Sequence, residues 1–397
     1  MINHAQSVTI IVFLLALFEL LGGRSYVDEV LCIFSIIYVF YLLSQNLLTR
    51  YDRHAIYLLC ICTMIGFMSN MYSGISRTTF SILIDAISET KILWAFYAAK
   101  YYINEKTVST LTFRYWKFAK YYFIIALVCG VISQFVNIGM TESSRYGLEG
   151  FSYIFPMSFQ YLAFSLVLIV FLTSYKNLKH KKTYYVIIAV SLMLATKSGP
   201  LLFGVIFLIL AYYFNRHAQL KTRTIIFLGI VVLLLGTFQI ETYLTNENAP
   251  RYLFIQYSGI TANRFFPFGS GFATFGSDQA ARDYSPLYYE YGFDGLFGMN
   301  PDDSSFLSDT FWPTPFAQFG WIGALLYIGI FVNIFKSIKR QTGLNNYQKA
   351  FLYAGYCQYM IHAVGSAILS SSAGMLGFIG LAMLMNPYKE KSDEYRL

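Results

Sequence analysis

Phe316-Ala-Gln-Phe-Gly-Trp-Ile-Gly-Ala-Leu-Leu-Tyr-Ile-Gly-Ile-Phe-Val-Asn-Ile-Phe335 is a run of twenty residues without a charge, closed by Lys336, Lys339 and Arg340. A helix rises about 1.5 Å per residue and the hydrocarbon core of a bilayer is about 30 Å thick, so a run of this length suits a membrane crossing. Eleven similar runs precede or follow it: Ser7–Leu21, Val27–Leu48, Ala55–Asn70, Phe80–Ile103, Tyr121–Ile138, Met157–Ser174, Tyr184–Thr196, Leu201–Phe214, Thr224–Ile240, Ala350–Ile368 and Ala373–Met385. Composition agrees, with 56% hydrophobic and only 13% charged residues, against about 25% charged in a typical soluble domain. The expected fold is all-α: a single polytopic membrane domain over residues 1–397, with about twelve spans. The first run has no basic start and no cleavable small-residue site after it, so it reads as a span and not as a signal peptide. Lys197-Ser198-Gly199-Pro200 separates the two short runs around it, leaving a tight turn and a re-entrant pair both open.

Lysine and arginine set the orientation. With both termini cytoplasmic, most of the 29 fall on the inner side, and the formal charge of +8 becomes a topology signal without any implication of nucleic acid. Arg24, Arg77, Arg145, Lys197, Arg251, Arg264 and Arg282 remain outside. These cations oppose the insertion bias, and arginine is suited to gripping phosphate through its rigid fork of donors; short external loops also tolerate some arginine without any function. Cys32, Cys60, Cys62, Cys129 and Cys357 all fall in expected spans, so no external disulfide framework is expected. His362, in the eleventh span, reads as a packed polar side chain.

One connection stands apart. The segment 241–315 is an extracytoplasmic loop of 75 residues carrying 18 aromatic residues, too many for a disordered tract, so it is expected to fold against something and to carry short helices. Asn248-Ala249-Pro250 reads as a helix start, with the helix continuing to about Asn263. Arg251 and Arg264 then lie at opposite ends, about 20 Å apart. Pro267–Ser277 is a glycine-studded turn in which Gly269 and Gly271 would let a ligand approach backbone N–H groups. Part of the aromatic set, Tyr284 and Trp312 among it, is expected to wall a groove for sugar rings, and part to anchor at the bilayer surface. Asp309 precedes the tenth span either as a helix cap or as a functional carboxylate. Asp85 and Glu89 share a helix face with Lys91 nearby, and charge inside a span is a functional candidate.

The loop position, the stretch from Arg251 through the glycine turn, and Ser308-Asp309-Thr310-Phe311-Trp312-Pro313 followed by Gln318-Phe319-Gly320-Trp321-Ile322-Gly323 resemble the Wzy-type polysaccharide polymerases. These belong with the O-antigen ligases in a superfamily of membrane glycosyltransferases. Arg145-Tyr146-Gly147 and Lys197-Ser198-Gly199 resemble that superfamily's arginine-glycine and serine-arginine-glycine motifs, with lysine at 197 in place of arginine. The resemblance implies transfer of a glycan from undecaprenyl diphosphate to a sugar hydroxyl of a second lipid-linked repeat unit in a bacterial cytoplasmic membrane, with inversion and without metal or cofactor. It implies Arg251, Arg145, Lys197 and Arg264 as diphosphate ligands and Asp309 as the general base, where the ligases have histidine. A flippase and a chain-length regulator are its implied protein partners. An O-antigen ligase and a flippase or transporter of lipid-linked oligosaccharide are the competing readings.

Overall fold

A computed structural model describes residues 4–22, 26–145, 147–221, 223–224, 226–230 and 249–390. The helices before the long loop are α1 (His4–Leu20), α2 (Val27–Ser44), α3 (Arg50–Ser73), α4 (Thr79–Tyr102), α5 (Glu105–Ile132), α6 (Ser158–Ser174), α7 (Lys181–Met193) and α8 (Ser198–Phe214). The loop contributes α9 (Pro250–Arg264), α10 (Asp278–Arg282) and α11 (Pro286–Glu290), and α12 (Pro313–Arg340), α13 (Asn346–His362) and α14 (Ser372–Ala382) complete the bundle. Polar side chains fix several starts: the hydroxyls of Thr49 and Thr78 and the amide oxygen of Asn104 accept from backbone N–H groups in the first turns of α3, α4 and α5.

Eleven of the twelve expected spans coincide with a helix, and Thr224–Ile240 lies largely outside the described residues. Four helices, α2, α3, α5 and α12, are long and apolar enough to cross a membrane. The expectation of twelve full crossings meets shorter helices elsewhere: α7 has 13 residues, roughly 20 Å of rise, and α14 has 11. Between α7 and α8 the chain makes a tight turn with Thr196 at positive φ, and the two helices pack against each other. The outward faces of the long helices are apolar where a soluble protein would be polar: Phe34 is 64% exposed, Met64 63% and Leu325 63%. That inversion marks a lipid-facing surface.

At the centre stands α4, buried on every side from Glu89 to Lys100 and packed against α2, α3 and α14. Two of the three expected charges, Asp85 and Lys91, take separate partners, while the buried Glu89 carboxylate has an oxygen without a hydrogen-bond partner among the described residues. Lys91 pairs with Asp28 of α2. Asp85 instead accepts the N–H of Ala273 at 2.5 Å and the side-chain amide of Gln318 at 2.9 Å, so it fastens the long loop to the bundle. Lys100, wholly buried, donates to Asp52 at 2.8 Å, Ser337 at 2.9 Å and Glu390 at 2.5 Å.

Two features depart from the expectation. Thr141–Arg145 (β1) and Leu148–Phe151 (β2) form an antiparallel hairpin, although an all-helical chain was expected. Secondly, the Pro267–Ser277 turn does not offer its N–H groups to a ligand. Those of Ser270 and Gly271 donate to Ala317 and Gln318 carbonyls at 2.9 Å each, that of Phe272 to the Asn70 side chain and that of Gly276 to Tyr288. The glycines serve close packing: Gly269 lies against Gly320, which breaks α12 with φ +66°, and Gly271 lies against Asn70.

The rest of the long loop has a small core of its own, built on Phe254, Phe275, Tyr288, Phe293 and Leu307. Folding of the aromatic-rich loop is thus as expected over 249–312. Tyr284 packs on Tyr288 and Tyr289 and donates to Met299 O, which makes it part of that core.

Candidate functional site

Proline at the start of α9 is preset for the helical turn and lacks the N–H that the first position leaves unpaired, and it delivers Arg251 as the next residue. The guanidinium donates twice to one oxygen of Asp309, from Nη2 at 2.7 Å and Nε at 2.9 Å. Asp309 is held from behind, because Phe311 N–H bonds Ala363 O at 3.1 Å and the Trp312 indole bonds Met360 O at 3.2 Å. These contacts staple the segment before α12 to the end of α13. The cap reading of Asp309 is thereby corrected: Trp312 occupies the N-cap of α12 and gives it no side-chain bond, while the carboxylate goes to Arg251. Trp312 is a buttress, with its ring against Phe311 and Phe331.

Arg251 rests over Gly365, where a Cβ would lie 3.3 Å from Nη1. Three residues earlier, His362 ends α13 and presses on Gly199, whose absent Cβ would meet its Nδ1 at 2.8 Å; the Gln358 side chain lies 3.4 Å from the same nitrogen. Lys197 sits at the N-cap of α8. Its ammonium donates to Ser143 at 3.0 Å and pairs with Glu142 at 3.5 Å. Both partners belong to β1, and the hairpin lies over the turn before α8 through the Phe151 N–H bond to Leu194 O at 3.1 Å. Arg145 ends β1, is half-buried, and makes no hydrogen bond or ion pair among the described residues.

The charges of Arg251, Arg145 and Lys197 all act on Asp309 and on His362. Three cations from separate connections thus act on one carboxylate and one imidazole, Arg251 by direct contact with Asp309 and the other two through their charge. Burial raises the Asp309 carboxyl above its ordinary range, opposed first by Arg251 and then by Arg145 and Lys197. The side chain keeps 37% of its surface exposed, so it is reachable from outside. The N-termini of α8 and α9 begin at this place, and their unpaired N–H groups add positive potential to that of the side chains.

Arg264 does not join. It lies at the far end of α9, as its spacing required, paired with Glu290 and over the Phe265 ring. Gly269, Gly271 and Tyr284 are packed elsewhere in the loop. His362, expected as a packed polar side chain, is packed against Gly199 but also lies in the field of the three cations, and Gln358 carried no expectation; no local signal marks either for the site, because the apolar stretch that holds them meets it only through the fold. Asp302 and Asp303 are exposed in a turn in which their N–H groups donate to Asn300.

No family model, curated protein or solved structure matches this chain. What it does must therefore be argued from the cation cluster and from the motifs that supply it.

Proposed function

We propose that the chain is a polysaccharide polymerase: a multi-pass glycosyltransferase of a bacterial cytoplasmic membrane, with both termini cytoplasmic, that joins lipid-diphosphate-linked glycans at the outer face. The observation that carries this reading is the convergence of Arg145, Lys197 and Arg251 on Asp309, at the end of the bundle away from most lysine and arginine. Cations concentrated there need an anionic purpose, and a diphosphate bound to a membrane lipid supplies one.

In the proposed step, a sugar hydroxyl of the acceptor attacks the anomeric carbon of the donor glycan. The new carbon–oxygen bond forms as the bond to the diphosphate breaks, the lipid diphosphate leaves, and the hydroxyl proton passes to Asp309. Arg251 and Arg145 neutralise the departing charge, with Lys197 as a point charge beside them. Asp309 and the donor diphosphate compete for Arg251. Donor binding therefore draws the guanidinium away and frees the carboxylate to accept a proton. The proposed step requires no cofactor.

Arg251→Ala tests the proposal in cells. Loss of one such transition-state contact costs about 10²–10³ in rate, so polymer growth should stop while single lipid-linked repeat units accumulate on the outer leaflet. Accumulation on the inner leaflet would point to a flippase, and normal lipid-linked polymer that never reaches its final acceptor to a ligase. Unchanged polymer with Arg145, Lys197 and Arg251 all neutralised, at normal abundance, would end the proposal.

A further inference from the structure

Where the long loop meets the bundle, Asp85 and Glu89 of α4 and Gln318 of α12 are buried, at 0%, 2% and 0% exposure. Among the described residues, Asp85 Oδ1, Glu89 Oε2 and Gln318 Oε1 have no hydrogen-bond partner. Turning the Gln318 amide over would not mend this. Its Nε2 donates to Asp85 Oδ2 at 2.9 Å and to Phe275 O at 3.2 Å, so its oxygen faces away from both. Glu89 stands one turn along from Asp85 on the same face of α4. Helical side chains lean toward the N-terminus of their own helix, which directs the Glu89 carboxylate toward Asp85.

All three of these oxygens are acceptors, and an acceptor withdrawn from water without a replacement contact is costly, a carboxylate most of all. The neighbouring cations are engaged elsewhere: Lys91 with Asp28, Arg77 with Asp283 and Arg282 with Asp278. Asp85 repels Glu89, and the exposed Asp278 adds its charge on both. A water molecule would donate to two of the oxygens and leave the charge in place. A proton on Glu89 would need an acceptor, and Glu89 makes no hydrogen bond to Asp85 or Gln318. A hard divalent cation takes oxygen ligands and balances two carboxylates together. Magnesium demands a near-ideal octahedron and keeps several waters, whereas calcium accepts irregular sets of carboxylate and amide oxygens. No group of three or more His, Cys, Asp or Glu that could hold a metal occurs among the described residues, and here the third protein oxygen is a glutamine's.

We propose that Asp85, Glu89 and Gln318 bind a calcium ion, drawn in past Asp278 from the end of the bundle that carries the Arg251 cluster. Asp85 holds the Ala273 N–H and Gln318 holds Phe275 O, so the ion locks residues 273–275 of the loop between α4 and α12. It shares no residue with the Arg251 cluster, takes no part in the proposed transfer, and stands independently of the polymerase reading.

The test uses the full-length protein in neutral detergent, stripped with chelator, exchanged into choline chloride and titrated with calcium, magnesium or sodium chloride. Equilibrium dialysis with radiolabelled calcium should find one ion per chain, half-saturating on the order of 10⁻⁴–10⁻³ M as in extracellular calcium modules. The melting temperature should rise with the same midpoint, and magnesium or sodium at equal concentration should raise it less. Glu89→Gln should weaken calcium binding at least about 10-fold. Because it also removes a buried charge without a counter-ion, the variant should melt higher than the parent protein when calcium is absent. Asp302→Asn with Asp303→Asn removes two exposed carboxylates from the same loop and should leave binding nearly unchanged. An equal thermal response to sodium alone, unweakened binding by Glu89→Gln, or equal weakening by the control pair would each overturn the site. Dialysis of the parent protein decides even where a variant misfolds, since no bound calcium there overturns it too.

Discussion

Asp309 carries two demands at once, since it neutralises Arg251 and accepts a proton in the proposed step. Its carboxyl is raised by burial, so the ionised base is lost as pH falls through a value above the ordinary aspartate range. The acid limb of the pH–rate profile should accordingly lie higher than an exposed aspartate gives. Lys197 opposes that rise, so Lys197→Gln should move the limb to still higher pH, measured on residual turnover; an unmoved limb would separate Asp309 from the proton transfer. At this scale the sequence was only partly legible. Arg251, Arg145, Lys197 and Asp309 stood out because charge outside a membrane is scarce. His362 did not, because its neighbours Gly199 and Gly365 carry no chemistry of their own and mark it only by letting it and Arg251 approach. Arg264 shows the converse: the same residue type in the same loop, drawn off by Glu290.

Elements that follow a period were read well, and elements set by contact were not. The apolar runs and the proline start of α9 depend on neighbours a few residues away, and these the chain spells out locally. The hairpin 141–151 has no alternating pattern of apolar residues to announce it, and its place is set by the turn before α8. The glycine turn was misread for the same reason: glycine permits close approach of a ligand or of the protein itself, and here Gly320 and Asn70 fill the space. Gly320→Ala should therefore be severe. It puts a side chain at φ +66° and drives a Cβ into Phe268 O, so a fall in melting temperature matching at least 2 kcal/mol is expected. Gly259→Ala, inside α9 with nothing within 4 Å of the new methyl, should raise stability by about 0.5–1 kcal/mol on the same measurement.

Across the whole molecule, charge divides the two ends of the bundle. Single cysteines in a cysteine-free background should report it: one at Leu148, half-exposed in the hairpin, should react with an impermeant thiol reagent on intact cells, and one at Lys179 only after permeabilisation. The reverse pattern would place the Arg251 cluster in the cytoplasm, where no flipped lipid-linked unit is available. The number of full crossings was the least legible property, because run length in sequence does not distinguish a crossing helix from a short one such as α7, which packs against α5 and α8.

Glu390 lies at the far end of the described chain, yet its carboxylate is buried in the bundle, on Lys100 and Ser337. Shortening the protein is thus not a peripheral change. Deleting everything after Asn386 would strip a wholly buried ammonium of one of its two carboxylates, and breaking such a buried pair costs about 3–5 kcal/mol. Expression yield and thermal inactivation should register that loss.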